Sequence, residues 1–229
     1  MGQPGHNVTL LRSGTGTALH ISSLTISRWL EIKHRKLDLL WVALSMVLAV
    51  FTWRYAIPDA YTPIWLFVAL HIQCAFIFAI RQPARYSTKR PLEILITLLS
   101  LIYLFAFEIK PTSSPVLALL GGIVTVIGSL ITIISIQCLG RSFAVLPSLR
   151  DIRTSGVYRF VRHPIYLSYM VAALGTLMRH PSLYNSGVAL AGFVLMMWRI
   201  RFEERLLGQD EIYRNYMDAV RYRLIPGLY

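Results

Sequence analysis

The sequence predicts an all-α fold: a polytopic membrane bundle of about six membrane segments, with a short C-terminal helical hairpin and a cytosolic C-terminal amphipathic helix. Three observations predict it. The 229 residues are 55% hydrophobic and only 15% charged, against about 25% charged in an ordinary soluble domain, and the mean hydropathy is +0.54. The apolar residues are gathered into runs as long as a bilayer is thick. The cations are confined to alternate connections between those runs.

In chain order, residues 1–36 read as a basic cytosolic leader. It is rich in Gly, Ser and Thr, is expected to be disordered to about Thr17, and closes on RWLEIKHRK. No secretory signal is expected from it. The MGQPGH start has His6 where myristoylation wants Ser or Thr. Residues 37–139 hold four runs able to span about 30 Å of hydrocarbon: Asp38–Ile57, Pro63–Ile80, Leu92–Ile109 and Pro115–Leu139. His71 and Gln73 lie in the middle of the second. Polar groups at that depth mark either a site or a hydrogen bond between helices. Glu93 and Glu108 end the third run near water and carry no assigned role. Gly121, Thr125 and Ser129 recur every four residues on the fourth, a face that lets another helix approach closely. Two shorter runs follow, Ile165–Met178 and Ser186–Trp198, joined by the compact RHPSLYN. They form a hairpin that returns the chain to its starting side whether or not it crosses fully.

Lys and Arg number 20 on the side of the leader, the 81–91 loop, the 139–164 loop and the tail. The other side holds only Arg54, Lys110 and Arg179. The positive-inside rule then places both termini in the cytosol, with a bacterial inner membrane favoured over an endoplasmic reticulum. The same segregation accounts for the net charge of +12 without a nucleic-acid partner, and no obligate protein partner is evident. Cys74 and Cys138 sit inside apolar runs without metal-ligand spacing. They read as buried small residues rather than as a disulfide or zinc site.

The chemistry concentrates in residues 140–229. Pro164 is suited to the first position of a helix, where its missing N–H is no loss, so the fifth segment should begin at the membrane surface. Its free N–H groups should form an anion pocket there. Gly156 permits a turn before Tyr158. Tyr158 and Tyr166 can pack on a flat ring and also hydrogen-bond. Arginines and tyrosines at a lipid boundary are equally expected as interface anchors. The tail adds a second cluster: in WRIRFEERLL, Arg199 and Glu203 share one helix face at i, i+4, whereas the adjacent carboxylates alone would be a solvated patch. Because the hairpin returns, Tyr158, Arg162 and His163 should meet Arg199 and Glu203 around one pocket. That pocket would open to the cytosol for a soluble cofactor and to lipid for a lipophilic substrate.

The combination TSGVYRFVRHPIY, an apolar hairpin, the Glu203–Glu204 pair and YRNYMDAVRYRLIPGLY resembles the isoprenylcysteine carboxyl methyltransferase family. The phospholipid N-methyltransferases show a looser version. The resemblance covers roughly 140–229. It implies a catalytic region that binds S-adenosylmethionine through Tyr158, His163, Pro164, Ile165, Tyr166 and Glu203, and more weakly through Arg150, Asp151, Ile152 and Arg153. Arg199 corresponds to the residue that meets the acceptor and is the expected catalytic and substrate-binding group. The residue types suit that cofactor: Arg and helix N–H groups for its carboxylate, Glu203 for its ammonium or ribose diol, tyrosines for its adenine. A carboxylate acceptor needs no general base, whereas an amine must first lose a proton, with Glu204 the available group. No metal is implied.

The resulting expectation is a membrane-embedded methyltransferase acting on a lipophilic or lipidated acceptor among membrane lipids, with carboxylate O-methylation favoured. The alternatives are a phospholipid or small-lipid N-methyltransferase, a membrane reductase using a nicotinamide cofactor, and a transporter. The reductase lacks a glycine-rich phosphate loop, and the transporter lacks a visible inverted repeat.

Overall fold

The computed structural model describes residues 38–50, 64–110, 112 and 114–229. The expected leader, residues 1–36, and Arg54 lie outside them. The chain is mostly helical. Helix α1 covers Asp38–Val50 and α2 Ile64–Ile80. Next come α3, Pro91–Ile102, and α4, Pro115–Leu139. The hairpin is α5, Pro164–Arg179, and α6, Leu183–Leu207, followed by α7, Glu211–Ala219. Pro91, Pro115 and Pro164 each open a helix, as proline's fixed φ and absent N–H favour. Ser114, Ser182 and Asp210 cap α4, α6 and α7 by accepting from backbone N–H groups.

Among the described residues, two helical stretches are long and apolar enough to cross a membrane, Pro115–Ser142 and Leu183–Leu207. The outer faces are apolar as well: Leu95 and Ile102 on α3, Ile123 and Ile134 on α4, and Leu190 and Phe193 on α6 are all exposed. Apolar surface on this scale is that of an integral membrane protein, with lipid as the solvent.

Helices α4 and α5 pack backbone to backbone. A Cβ on Gly175 would lie 2.6 Å from the Gly121 carbonyl oxygen, and one on Gly128 would lie 2.9 Å from that of Ser168. Thr132 and Ser168 share a hydrogen bond of 2.7 Å across the seam. The small-residue face of α4 is therefore a helix contact. Gln73 Nε2 donates to the Ile133 carbonyl at 2.9 Å, the interhelical bond being the reading the geometry supports for that residue.

Three features differ from the sequence expectation. The third run does not stay α-helical to Ile109: it passes into a 3₁₀ turn at Tyr103–Ala106. There Gly192 of α6 faces the Tyr103 ring with no room for a Cβ. Just beyond, the Asn185 side chain accepts from the Glu108 N–H and donates to the Glu108 carbonyl, each at 2.9 Å. The sixth run does not stop at Trp198: α6 continues two turns, burying Arg199 and Glu204 while Arg201 and Arg205 stay exposed. Finally, one short antiparallel ladder interrupts the all-α plan. Strands β1 (Tyr86–Ser87) and β2 (Ser148–Leu149) pair Tyr86 with Leu149. It joins the two Arg-rich loops, and Arg150 Nε reinforces it by donating to the Gln82 carbonyl at 2.9 Å.

Candidate active site

The α5–α6 hairpin, the 142–153 loop and α7 enclose a cavity of about 110 Å³ that opens at its mouth. Gly156 shapes one rim. Its φ is +65° and its Cα lies against Cys138, where a Cβ would meet the Sγ. Only glycine satisfies both conditions, and the turn delivers Tyr158 into the wall.

Three side chains form a ladder between the two arms of the hairpin. The Arg199 guanidinium lies 4.9 Å from the centre of the Tyr166 ring, and the Tyr166 hydroxyl donates to Glu203 Oε2. Arg199 is also held from behind: Nη1 donates to Ser100 Oγ at 3.1 Å and Nη2 to the Val145 carbonyl at 2.6 Å. It is 4% exposed and has no carboxylate partner among the described residues. Its Nε, like Ser142 Oγ on the same wall, is buried without a hydrogen-bond partner. Orphaned donors in a lined cavity are what a bound anionic or polar ligand group satisfies.

Glu204 has a different role from its neighbour. Arg162 Nε lies 2.9 Å and His163 Nε2 3.2 Å from its Oε1, and Arg223 Nε lies 2.8 Å from its Oε2. It is buried, does not line the cavity, and has both oxygens engaged. The solvated carboxylate patch and the spare proton acceptor suggested by sequence are thus replaced by a structural hub. Just before α5 the C-terminal segment docks onto the chain. The Arg162 and His163 N–H groups donate to the Tyr222 and Arg223 carbonyls at 3.0 and 2.8 Å, and Arg162 Nη1 reaches the Met217 and Val220 carbonyls. The C-terminal segment lies alongside this stretch and uses its donors.

Of the residues singled out by sequence, Arg150, Asp151, Ile152, Arg153, Tyr158, His163, Ile165, Tyr166, Arg199 and Glu203 all line this one cavity. Pro164 does not: it is fully buried behind the rim as the first residue of α5. Arg150 is tied into the loop by Gln82 and Ser148, and Asp151 pairs with Arg85 at 3.1 Å. Sequence reasoning missed Tyr213 and Tyr216 of α7, Ser142, and Leu101 of α3. The first two had a signal, the i, i+3 spacing of tyrosines on one face of a short amphipathic helix; the others had none. Tyr216 donates to the Tyr158 carbonyl at 2.6 Å, and its ring meets Tyr213 edge-on at 5.7 Å. Burial, then the nearby Glu203 charge, raises the Tyr158 and Tyr213 hydroxyls well above their ordinary range, so both remain protonated donors at neutral pH. The cavity therefore combines aromatic faces, the carboxylates of Asp151 and Glu203, the exposed cation Arg153 and the buried Arg150 and Arg199.

Residues 116–215 match the family model of phospholipid methyltransferases. That phospholipid methyltransferase match begins in α4, takes in the hairpin and ends in α7, so it contains both arms of the cavity. Over 107 residues the chain is 29% identical to protein-S-isoprenylcysteine O-methyltransferase A of Arabidopsis thaliana; the alignment covers 44% of this chain and 51% of that protein. The chain thus spans about half the length of this relative. A solved eukaryotic intramembrane Ras methyltransferase, isoprenylcysteine carboxyl methyltransferase, aligns over 92% of this chain and 87% of its own, with 19% identity and a TM-score of 0.44.

Proposed function

We propose that this chain is a membrane-embedded methyltransferase that moves a methyl group from S-adenosylmethionine to the carboxylate of a lipophilic acceptor. The observation that carries the reading is the cavity in which Arg199, Tyr166 and Glu203 form one ladder across the hairpin. The relatives' names point the same way, one an O-methyltransferase of isoprenylcysteine, and an S-prenylated cysteine is the acceptor class we favour. The residues present fit the cofactor. Tyr158, Tyr213 and Tyr216 offer faces and hydroxyls for adenine, Glu203 a carboxylate for the ammonium or ribose diol, and Arg153 a cation for the carboxylate.

When bound, S-adenosylmethionine supplies an already activated methyl group. What remains for the protein is to position the acceptor and exclude water. Arg199 is suited to positioning the acceptor, because its planar fork is preset by Ser100 and Val145 and its charge is not neutralised by a carboxylate among the described residues. A carboxylate acceptor is nucleophilic as it stands. An amine acceptor needs a base, and Glu204, the candidate from sequence, has both oxygens in ion pairs; O-methylation is therefore favoured over N-methylation. We further propose six membrane segments with both termini and the Arg-rich loops in the cytosol of a bacterial inner membrane, on the 20-to-3 distribution of Lys and Arg.

Titration of the purified protein in detergent with S-adenosylhomocysteine and, separately, NADPH tests the reading. Saturable binding of S-adenosylhomocysteine alone is expected. Binding of NADPH alone would shift the assignment to a reductase, and binding of neither would remove the enzymatic reading.

A further inference from the structure

Outside the main cavity, a second groove lies where the 159–160 turn meets the C-terminal segment. It is lined by Arg159, Phe160, Val220, Arg221, Tyr222 and Pro226, with Ala219 at one end. No acidic side chain lines it; Asp218, one residue before Ala219, does not reach it. Arg159 and Arg221 are exposed, and among the described residues neither has a carboxylate partner. Arg159 rests over the Phe160 ring at 4.6 Å. Backbone acceptors beneath are already engaged, the Val220 and Tyr222 carbonyls by Arg162. The groove thus offers cationic donors beside occupied acceptors, which suits an anion. Its lining includes exposed apolar surface, Phe160 at 56% and Tyr222, and next to it in the chain Ile225 and Leu228 flank Pro226 and are exposed too. Phe160 lies four residues before Pro164, where α5 starts, so on the proposed topology the groove sits at the height of the lipid headgroups. Guanidinium groups above an aromatic and aliphatic lip match a phosphate carrying acyl chains.

We propose that this groove binds the headgroup of an anionic phospholipid, with Arg159 and Arg221 on its phosphate and Phe160, Tyr222, Ile225 and Leu228 dipping into the leaflet. The Arg162–Val220 and Arg162–Tyr222 bonds link the groove floor to a wall of the main cavity, so a lipid seated here braces that wall. The inference stands apart from the methyltransferase reading, because its readout is lipid binding and not turnover.

The test is the thermal midpoint of the full chain in detergent micelles, with phosphatidylglycerol, phosphatidylcholine or inorganic phosphate added. Phosphatidylglycerol is expected to raise the midpoint by about 2–4 °C by binding the folded state, and the other two to leave it unchanged. Arg159→Ala/Arg221→Ala loses that rise, whereas Arg201→Ala/Arg205→Ala, which removes two exposed cations elsewhere, keeps it. Arg221→Gln alone serves if the double variant does not accumulate. An equal rise with phosphatidylcholine or with phosphate overturns the proposal. So does a full phosphatidylglycerol response in the groove variant, or an equal loss in the control pair.

Discussion

Arg199 and Glu204 are both buried charges on α6, and they are buried on different terms. Glu204 is surrounded by Arg162, His163 and Arg223, which tie α6 to the start of α5 and to the C-terminal segment. Removing its carboxylate leaves Arg162 buried and unpaired. Glu204→Ala is expected to lower stability by about 3–5 kcal/mol, read as a fall in the denaturation midpoint; an unchanged midpoint would remove the hub. Arg199 has hydrogen bonds but no counter-charge. Arg199→Lys keeps the cation and loses the fork that bridges Ser100 and Val145. Turnover of a small S-prenylated cysteine is expected to fall about a hundredfold, with S-adenosylhomocysteine affinity unchanged. Equal losses in both would move Arg199 from the acceptor to the cofactor.

At the scale of elements, the α4–α5 seam fixes where the Tyr158–Tyr166 rim stands. A Cβ on Gly175 would lie 2.4 Å from Thr125 Oγ1 and 2.6 Å from the Gly121 carbonyl, whereas Gly187 on α6 has open space within 4 Å. Gly175→Ala should therefore cost about 1–3 kcal/mol by overpacking. Gly187→Ala should be neutral or slightly stabilising, since alanine favours a helix over glycine. Matching melting temperatures for the two variants would contradict this seam. The seam was legible in the four-residue spacing of Gly121, Thr125 and Ser129, and the start of α5 in Pro164. The last two turns of α6 were not, because alternating charges after Trp198 look like the end of an apolar run. Only tertiary packing reveals that Arg199 and Glu204 among them are buried, with Ile200, Phe202 and Leu206. The 3₁₀ turn at Tyr103 was equally hidden, since Gly192, which makes room for the Tyr103 ring, lies on another helix.

At the scale of the whole molecule, charge segregation placed the 81–91 and 139–164 loops on one side, and the β1–β2 ladder joins them directly. The general position of the site was therefore readable from the sequence. Its closure was not: Ser100 and Leu101 reach it from α3 across a long stretch of chain, and Tyr213 and Tyr216 reach it only because α7 folds back onto Tyr158. Backbone bonds between 162–163 and 222–223 carry no sequence signature, so the docking of the C-terminal segment beside the start of α5 could be seen only in three dimensions. The central claim is that the hairpin brings a tyrosine rim and a carboxylate rim to one ligand. The most direct measurement is the calorimetric affinity of S-adenosylhomocysteine for wild type, Tyr158→Leu and Glu203→Gln, each checked for an unchanged melting temperature. Both variants should bind at least about tenfold more weakly, a loss of about 1.4 kcal/mol or more; a folded variant of either rim that binds as tightly as wild type would separate that rim from the ligand.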